Sequence, residues 1–206
     1  MAELVEILPH NINQKKIQEI VSTLKKGGLA IIPTDSIYAI VGDLYHKDVL
    51  NSICRLIDKK PNKVNLSILC KDLSNLSEFT AQIGNSTYKT MKRLFPGPFT
   101  FILKASHNVP KIFRQNKKTI GIRVPDNEIT QAIISSLGHP LVSTSIHSED
   151  EIQKYLTEPE EIYEVWMDKV DIIVDGGAGS NIGTTVFDAS DSEVELIREG
   201  LGAELI

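Results

Sequence analysis

The chain has 206 residues, 41% of them hydrophobic, and a formal net charge of −5, enough for one sizeable core and, at roughly 150 residues per domain, for one domain spanning 1–206. No apolar run approaches the ~20 residues of a membrane-spanning helix, and Met1-Ala2-Glu3-Leu4-Val5-Glu6 lacks the basic start and apolar core of a secretory leader, so a soluble, cytoplasmic protein is expected. Cys54 and Cys70, with no C-x-x-C pair and no histidine at ligand spacing, read as buried free thiols of a reducing compartment, and the five histidines show no metal-binding spacing.

In chain order, Ile17, Ile20, Val21 and Leu24 fall at i, i+3, i+4 and i+7, which predicts an amphipathic helix over Asn13 to Lys26. Gly27-Gly28 stops it with a left-handed cap. An apolar run of strand length follows and ends at Pro33. Thr34-Asp35-Ser36 then puts hydroxyls and a carboxylate at the mouth of a buried strand, the rim at which open α/β sheets bind ligands. The same residues are also ordinary turn formers. A second helix is predicted from about Lys47 to Ile57, then a basic loop over Asp58-Lys59-Lys60-Pro61-Asn62-Lys63, then a strand from Leu66 to Cys70.

Tyr88, Met91 and Leu94-Phe95 mark a third helix, terminated by Pro96-Gly97-Pro98, and Phe99 to Leu103 is apolar enough for a buried strand. Thr119 to Val124 alternates toward Pro125 as another strand. Asp126 is expected to cap a helix built on Ile129, Ile133, Ile134 and Leu137, which Gly138-His139-Pro140 ends. Leu141 to Ser145 is a strand whose exit carries three hydroxyls. Thr157 with Glu160 predicts a capping box for a helix through Trp166, and short strands follow at Ile172 to Val174, Thr185 to Ala189 and Val194 to Ile197. Helices between buried strands imply α/β architecture, and the crowded C-terminal strands imply a mixed sheet.

Two further patterns bear on function. From Phe79 through Pro125 there is no acidic residue but nine bases, among them Lys89, Lys92, Arg93, Arg114, Lys117 and Lys118, whereas from Asp126 onward eighteen acids face Lys154, Lys169 and Arg198. That asymmetry is an electrostatic footprint unless the fold brings acids onto the basic stretch. Gly176-Gly177-Ala178-Gly179-Ser180-Asn181-Ile182-Gly183 fails both the dinucleotide and the P-loop pattern and precedes a strand, so it reads as a mobile turn. No G-x-S-x-G elbow is present, which leaves nucleophilic hydrolase chemistry without support. Convergent charge and hydroxyls at strand ends remain: Arg123, Ser143, Ser145, Thr184-Thr185 and Arg198. Cations that neutralise phosphate oxygens and donors that fix geometry are what phosphoryl or nucleotidyl transfer requires.

Six blocks in order carry a family resemblance: Pro33-Thr34-Asp35-Ser36-Ile37-Tyr38-Ala39-Ile40, Pro96-Gly97-Pro98-Phe99-Thr100-Phe101-Ile102-Leu103, Ile120-Gly121-Ile122-Arg123-Val124-Pro125, Ser143-Thr144-Ser145, Thr184-Thr185-Val186-Phe187-Asp188 and Arg198-Glu199-Gly200. The chain resembles the YrdC family of threonylcarbamoyl-AMP synthases, nearest its YciO branch. The resemblance implies a YrdC/RibB-like open twisted mixed sheet with flanking helices and a large concave cavity. It implies condensation of L-threonine, bicarbonate and ATP, accompanied by Mg²⁺, to threonylcarbamoyl-AMP and pyrophosphate for modification of transfer RNA. By motif matching, Thr34, Arg123 and Thr184 would bind threonine. Lys60, Ser143, Ser145 and Arg198 would hold the nucleotide, with Lys60 and Arg123 as the catalytic cations. The chain departs from the family where Asp58-Lys59-Lys60-Pro61 replaces Lys-x-Arg-Pro and where Ser145-Ile146-His147 replaces Ser-x-Asn, which predicts low synthase activity. Two alternatives stay open: an RNA-binding module of the same fold that uses the acid-free stretch, and a nucleotide-dependent enzyme acting on another carboxylate or amine.

Overall fold

The computed structural model describes residues 1–60, 64, 66–74, 76–110, 118–146, 155–191 and 193–206. Its elements in chain order are β1 (Glu3–Glu6), α1 (Gln14–Lys25), β2 (Ala30–Ile32), β3 (Ala39–Asp43), α2 (Val49–Leu56), β4 (Ser67–Leu69), α3 (Leu76–Phe79), α4 (Asn85–Leu94), β5 (Phe99–Lys104), β6 (Thr119–Arg123), α5 (Glu128–Leu137), β7 (Leu141–Ser145), α6 (Pro159–Trp166), β8 (Ile172–Asp175), β9 (Thr185–Asp188) and β10 (Glu195–Arg198), then a 3₁₀ turn. All ten strands form one mixed sheet in the order β1-β8-β2-β3-β7-β4-β6-β5-β9-β10.

Several local expectations are corrected. The stretch around Pro33 is a pair of antiparallel strands, with Ala30 opposite Val41 and Ile32 opposite Ala39, rather than one strand and a turn. The edge strand β1 buries only Val5 and carries too little apolar pattern to be read from sequence. Asn127, not Asp126, caps α5 and accepts the Thr130 N–H at 3.0 Å. Helix α6 has no capping box: Pro159 sits in its first turn, and the Thr157 hydroxyl instead donates to the Glu158 carboxylate at 3.3 Å.

The end of α2 explains one departure from the family pattern. The Lys59 N–H reaches the Cys54 carbonyl and the Asp58 N–H the Arg55 carbonyl, the paired bonds of a Schellman cap, with Asp58 at the left-handed position, φ 48°. Asp is among the few residues other than Gly that occupy this region readily. Asp58→Val is therefore expected to destabilise the fold by about 1–2 kcal/mol, and Asp58→Gly to stay within about 1 kcal/mol of the parent, in urea unfolding.

Two apolar layers flank the sheet unequally. On one face α2, α3, α4 and α6 bury residues of nearly every strand, from Ile31 and Ile40 through Ile68 and Ile122 to Phe101 and Phe187. On the other face α1 and α5 pack over β1, β8, β2, β3 and the near end of β7, reaching Leu141 and Leu69. Side chains alternate along a strand, so Ser67, Gly121, Arg123, Thr100 and Val186 point to that second face, beyond the helices' reach. Among the described residues, no helix packs over them. Half of one sheet face thus has no helix over it among the described residues, and it carries the hydroxyls and Arg123, which are themselves buried.

Candidate active site

This helix-free part of the sheet is organised by Arg123, the last residue of β6 and 5% exposed. Its Nη2 donates to Asp35 Oδ1 at 2.8 Å, Ser36 Oγ at 3.0 Å and Thr34 Oγ1 at 3.3 Å. The contact spans three strand spacings from β3 to β6, roughly 14 Å on a flat sheet. Asp35 Oδ2 accepts the Asp126 N–H at 2.9 Å, so this carboxylate ties the loop to both β6 and the start of α5. Burial pushes the Arg123 guanidinium below the ordinary arginine range, Asp35 opposes that shift, and the positive charge of Arg198 adds to it. Arg123 Nε is buried and has no partner among the described residues.

Thr34 is saturated from within. Its hydroxyl donates to the Ile37 carbonyl at 2.7 Å and accepts from the Ser36 N–H at 3.1 Å and from Arg123, which holds the turn in shape. Thr184 differs. Its carbonyl accepts from Arg198 Nε at 3.2 Å and Nη2 at 2.8 Å, while its Oγ1 lies 2.8 Å from Thr100 Oγ1. Arg198 Nη1 has no partner among the described residues. On β7, Ser143 donates to the Ser67 carbonyl at 3.3 Å, and Ser145 pairs with Ala39 beside the β2–β3 loop.

Geometry thus assembles Thr34, Asp35, Ser36 and Arg123 as one cluster and Thr184 with Arg198 as a second, while the two serines sit on β7, between β3 and β6 and on the side of β6 away from β9. Lys60 is exposed beyond α2 and has no hydrogen bond or ion pair to the described residues; His147 lies outside those residues, as do Lys63, Arg114 and Lys117. Sequence reading passed over Asp35 and Ser36 as partners of Arg123, and over Thr100. Alternation within Phe99-Thr100-Phe101 was the available signal for the last. The described residues contain no group of three His, Cys, Asp or Glu placed to hold a metal ion.

The glycine-rich segment proves to be docked rather than a free turn. Gly176 N–H donates to the Tyr38 hydroxyl at 3.2 Å, and that hydroxyl donates to the Gly177 carbonyl at 2.6 Å. Ser180 N–H reaches the Ser36 carbonyl and Gly179 N–H the Thr157 carbonyl. A Cβ at Gly179 would lie 2.8 Å from the Tyr38 ring, which is why the close approach needs glycine. Burial pushes the Tyr38 phenol up to about 12. A phenol whose folded pKa exceeds its unfolded value of about 10 contributes stability present below pH 10 and lost as pH rises toward 12. Wild-type stability is accordingly expected to fall more steeply than that of Tyr38→Phe between pH 10 and 12, by about 2–3 kcal/mol over the window, in denaturant titrations at stepped pH.

Comparison with known proteins agrees with this architecture. A family model described as Sua5_yciO_yrdC, telomere recombination, matches residues 22–200. YciO of Escherichia coli K12 is 37% identical over 203 residues, covering 98% of this chain and 97% of that protein. The crystal structure of E. coli YciO matches with a TM-score of 0.89 over 98% of this chain and 97% of that one. A Methanocaldococcus jannaschii protein described as a putative threonylcarbamoyl-AMP synthase is 27% identical over 197 residues, 93% of this chain and 91% of its own length. The crystal structure of P. abyssi Sua5 complexed with L-threonine shares the fold, with a TM-score of 0.87 at 22% identity over 97% of this chain and 58% of that one.

Proposed function

This chain belongs to the Sua5, YciO and YrdC family, and on that premise we propose that it is a threonylcarbamoyl-AMP synthase-like protein acting on L-threonine, bicarbonate and ATP. The observation that carries the reading is Arg123: a buried guanidinium whose Nε–H has no partner among the described residues, on a sheet face that no described helix covers. A buried donor of this kind calls for an acceptor, and a carboxylate matches the planar guanidinium in shape and charge. Threonine's carboxylate is assigned there, with Thr184 at the same end of the substrate and Thr34 shaping the turn that holds Arg123.

Arg198, through its free Nη1, Ser143, Ser145 and the flexible cation Lys60 hold the nucleotide in this scheme. Mg²⁺ enters with ATP as its counter-ion, bound by phosphate oxygens and water. Threonine's amine and bicarbonate give the carbamate with loss of water. A carbamate oxygen then forms a bond to the α-phosphorus, the α–β anhydride bond breaks, and pyrophosphate departs with the electron pair. Arg123 and Arg198 offset the charge that accumulates, so catalysis is chiefly positioning and electrostatic stabilisation. Lys60 is a point charge where the family has a bidentate arginine, which favours a slow enzyme. Release of pyrophosphate that requires threonine and bicarbonate together supports the reading; release independent of either, or none above buffer, counts against it.

A second reading rests on α4. Lys89, Lys92, Arg93 and Tyr88 are all exposed on this helix, and no ion pair engages its three bases among the described residues, whereas Lys104 on the neighbouring strand is paired with Asp191 at 3.0 Å. An unpaired basic face with an aromatic suits RNA, and the two readings are compatible for an enzyme whose product serves transfer RNA.

A further inference from the structure

Nine residues, 176–184, join β8 to β9, which stand seven strand spacings apart in the sheet. Followed pairing by pairing, the two strands point the same way. The connection therefore leaves one end of the sheet, enters at the other and has to cross a face. Such crossovers usually carry a helix; this one carries Gly176, Gly177, Gly179 and Gly183. Seven spacings are about 33 Å on a flat sheet, and ten residue steps reach at most about 33–36 Å. The segment nevertheless turns: Gly177 has φ 89°, its N–H donates to Asp175 Oδ1 at 3.0 Å, and the Ile182 N–H donates to Ser180 Oγ at 3.0 Å. A chain that turns has no length left to follow a flat sheet, so it spans a twisted one as a strap. It touches Ser36 and Arg198 on the way, at the part of the sheet that no described helix covers.

Tyr38 holds the strap at its start. A backbone N–H only donates and a carbonyl only accepts, so both roles of the phenol are fixed: it accepts from Gly176 at 3.2 Å and donates to Gly177 at 2.6 Å. Its ring lies against Gly179. Tyr38 directly follows the turn that holds Arg123, and that turn takes the strap a second time. The Ser36 carbonyl accepts the Ser180 N–H at 3.0 Å, while the Ser36 hydroxyl accepts from Arg123. Three residues on, Gly183 is packed on Arg198, where a Cβ would lie 3.1 Å from Nη2. Thr184 follows. Four residue steps, Ser180 to Thr184, thus lead from the Arg123 cluster to the Arg198 cluster, and the spacing of the two depends on where the strap is fastened. We infer that Tyr38 is a positioning residue: its hydroxyl fastens 176–183 to the turn around Arg123, and so sets the distance from Arg123 to Thr184 that a bound amino acid has to match. This rests on the reading of the site as one for L-threonine, and Tyr38 itself touches no substrate in it.

The test compares the full-length parent with Tyr38→Phe, which keeps the ring and removes the hydroxyl, and with Gly179→Ala, whose Cβ would stand 2.8 Å from the ring and push the strap off it. L-threonine, L-serine and MgATP are titrated calorimetrically, and amide hydrogen exchange is followed at Gly179 and Ser180. Loss of the clasp is expected to speed exchange at both amides by about three- to tenfold while the amides of α1 hold. L-threonine is expected to weaken by about three- to tenfold, with MgATP held within about threefold. L-serine lacks the methyl group that a well-spaced site reads, so it weakens less and the preference for L-threonine narrows by about threefold. A merely structural role lowers stability and leaves that preference where it was. Unchanged exchange at Gly179 and Ser180 in Tyr38→Phe overturns the inference, as does an unaltered ratio of threonine to serine affinity in both variants. If the parent does not bind L-threonine, the functional reading fails, and exchange at the two amides alone decides whether Tyr38 fastens the strap.

Discussion

Replacing Asp35 with alanine is expected to destabilise the folded protein by about 3–5 kcal/mol, the cost of leaving one member of a buried ion pair uncompensated. Both side chains are almost fully excluded from solvent, 7% exposed for Arg123 and 6% for Asp35. Among the described residues, the guanidinium that remained would keep only the hydroxyls of Ser36 and Thr34 as partners, and the Asp126 N–H at the entry to α5 would lose its acceptor as well. For a chain of this length the loss corresponds to a fall in Tm of roughly 6–20 °C. A double variant, Asp35→Leu with Arg123→Met, should recover much of the stability, because an apolar pair of similar volume removes the desolvation penalty along with the attraction. Calorimetric melting of the three proteins is decisive. A loss below about 1 kcal/mol in Asp35→Ala would show that the pair is solvated and that Arg123 is not the buried, charge-primed donor required of it.

Arg198→Ala is the second large effect, expected in binding rather than in folding. Removing a charge-assisted contact to phosphate should cost about 1.5–3 kcal/mol, or roughly tenfold to more than a hundredfold in MgATP affinity. The guanidinium also braces the Thr184 carbonyl through two bonds, so L-threonine affinity should drop too, by a smaller factor. Arg198→Lys separates the contributions: a lysine keeps the charge but cannot hold the carbonyl and a phosphate in one planar fork. Equal MgATP affinity for the parent and Arg198→Ala in titration calorimetry would remove this residue from the nucleotide site.

What could be read from sequence, and what could not, follows the range of the interactions. Leu141-Val142-Ser143-Thr144-Ser145 announces a buried strand with a polar exit, and Gly121-Ile122-Arg123 a strand ending in a cation, because both patterns are local. Which half of the sheet lacks a covering helix is not local. It depends on α1 and α5, far apart in sequence, packing side by side over the same half of the sheet. The Asp35–Arg123 pair joins residues 88 apart and the Thr100–Thr184 pair residues 84 apart, so neither leaves a trace in any window of the chain. Asp58 shows the opposite failure. Motif alignment set it against a family lysine as a charge reversal, whereas the backbone uses it as a left-handed helix cap, a conformational role that charge comparison does not register.

Those relations bear on how the chain departs from its family. On the proposed reading, the Arg123 cluster and the Arg198 brace would serve a threonine-sized substrate, and the deficit would fall on Lys60 at the nucleotide end. The proposal therefore expects slow chemistry rather than none, since one misplaced cation lowers a rate by orders of magnitude without abolishing positioning by the remaining groups.

The most direct test of that conclusion is incubation of the full-length protein with MgATP, L-threonine and ¹³C-bicarbonate, followed by mass spectrometry of the nucleotide fraction. A threonylcarbamoyl adenylate is expected whose mass rises by about one unit with the labelled bicarbonate, formed slowly, absent without threonine and lost in Arg123→Ala. Binding of both L-threonine and MgATP with no labelled adenylate even after prolonged incubation would contradict the account and leave the chain a binding module.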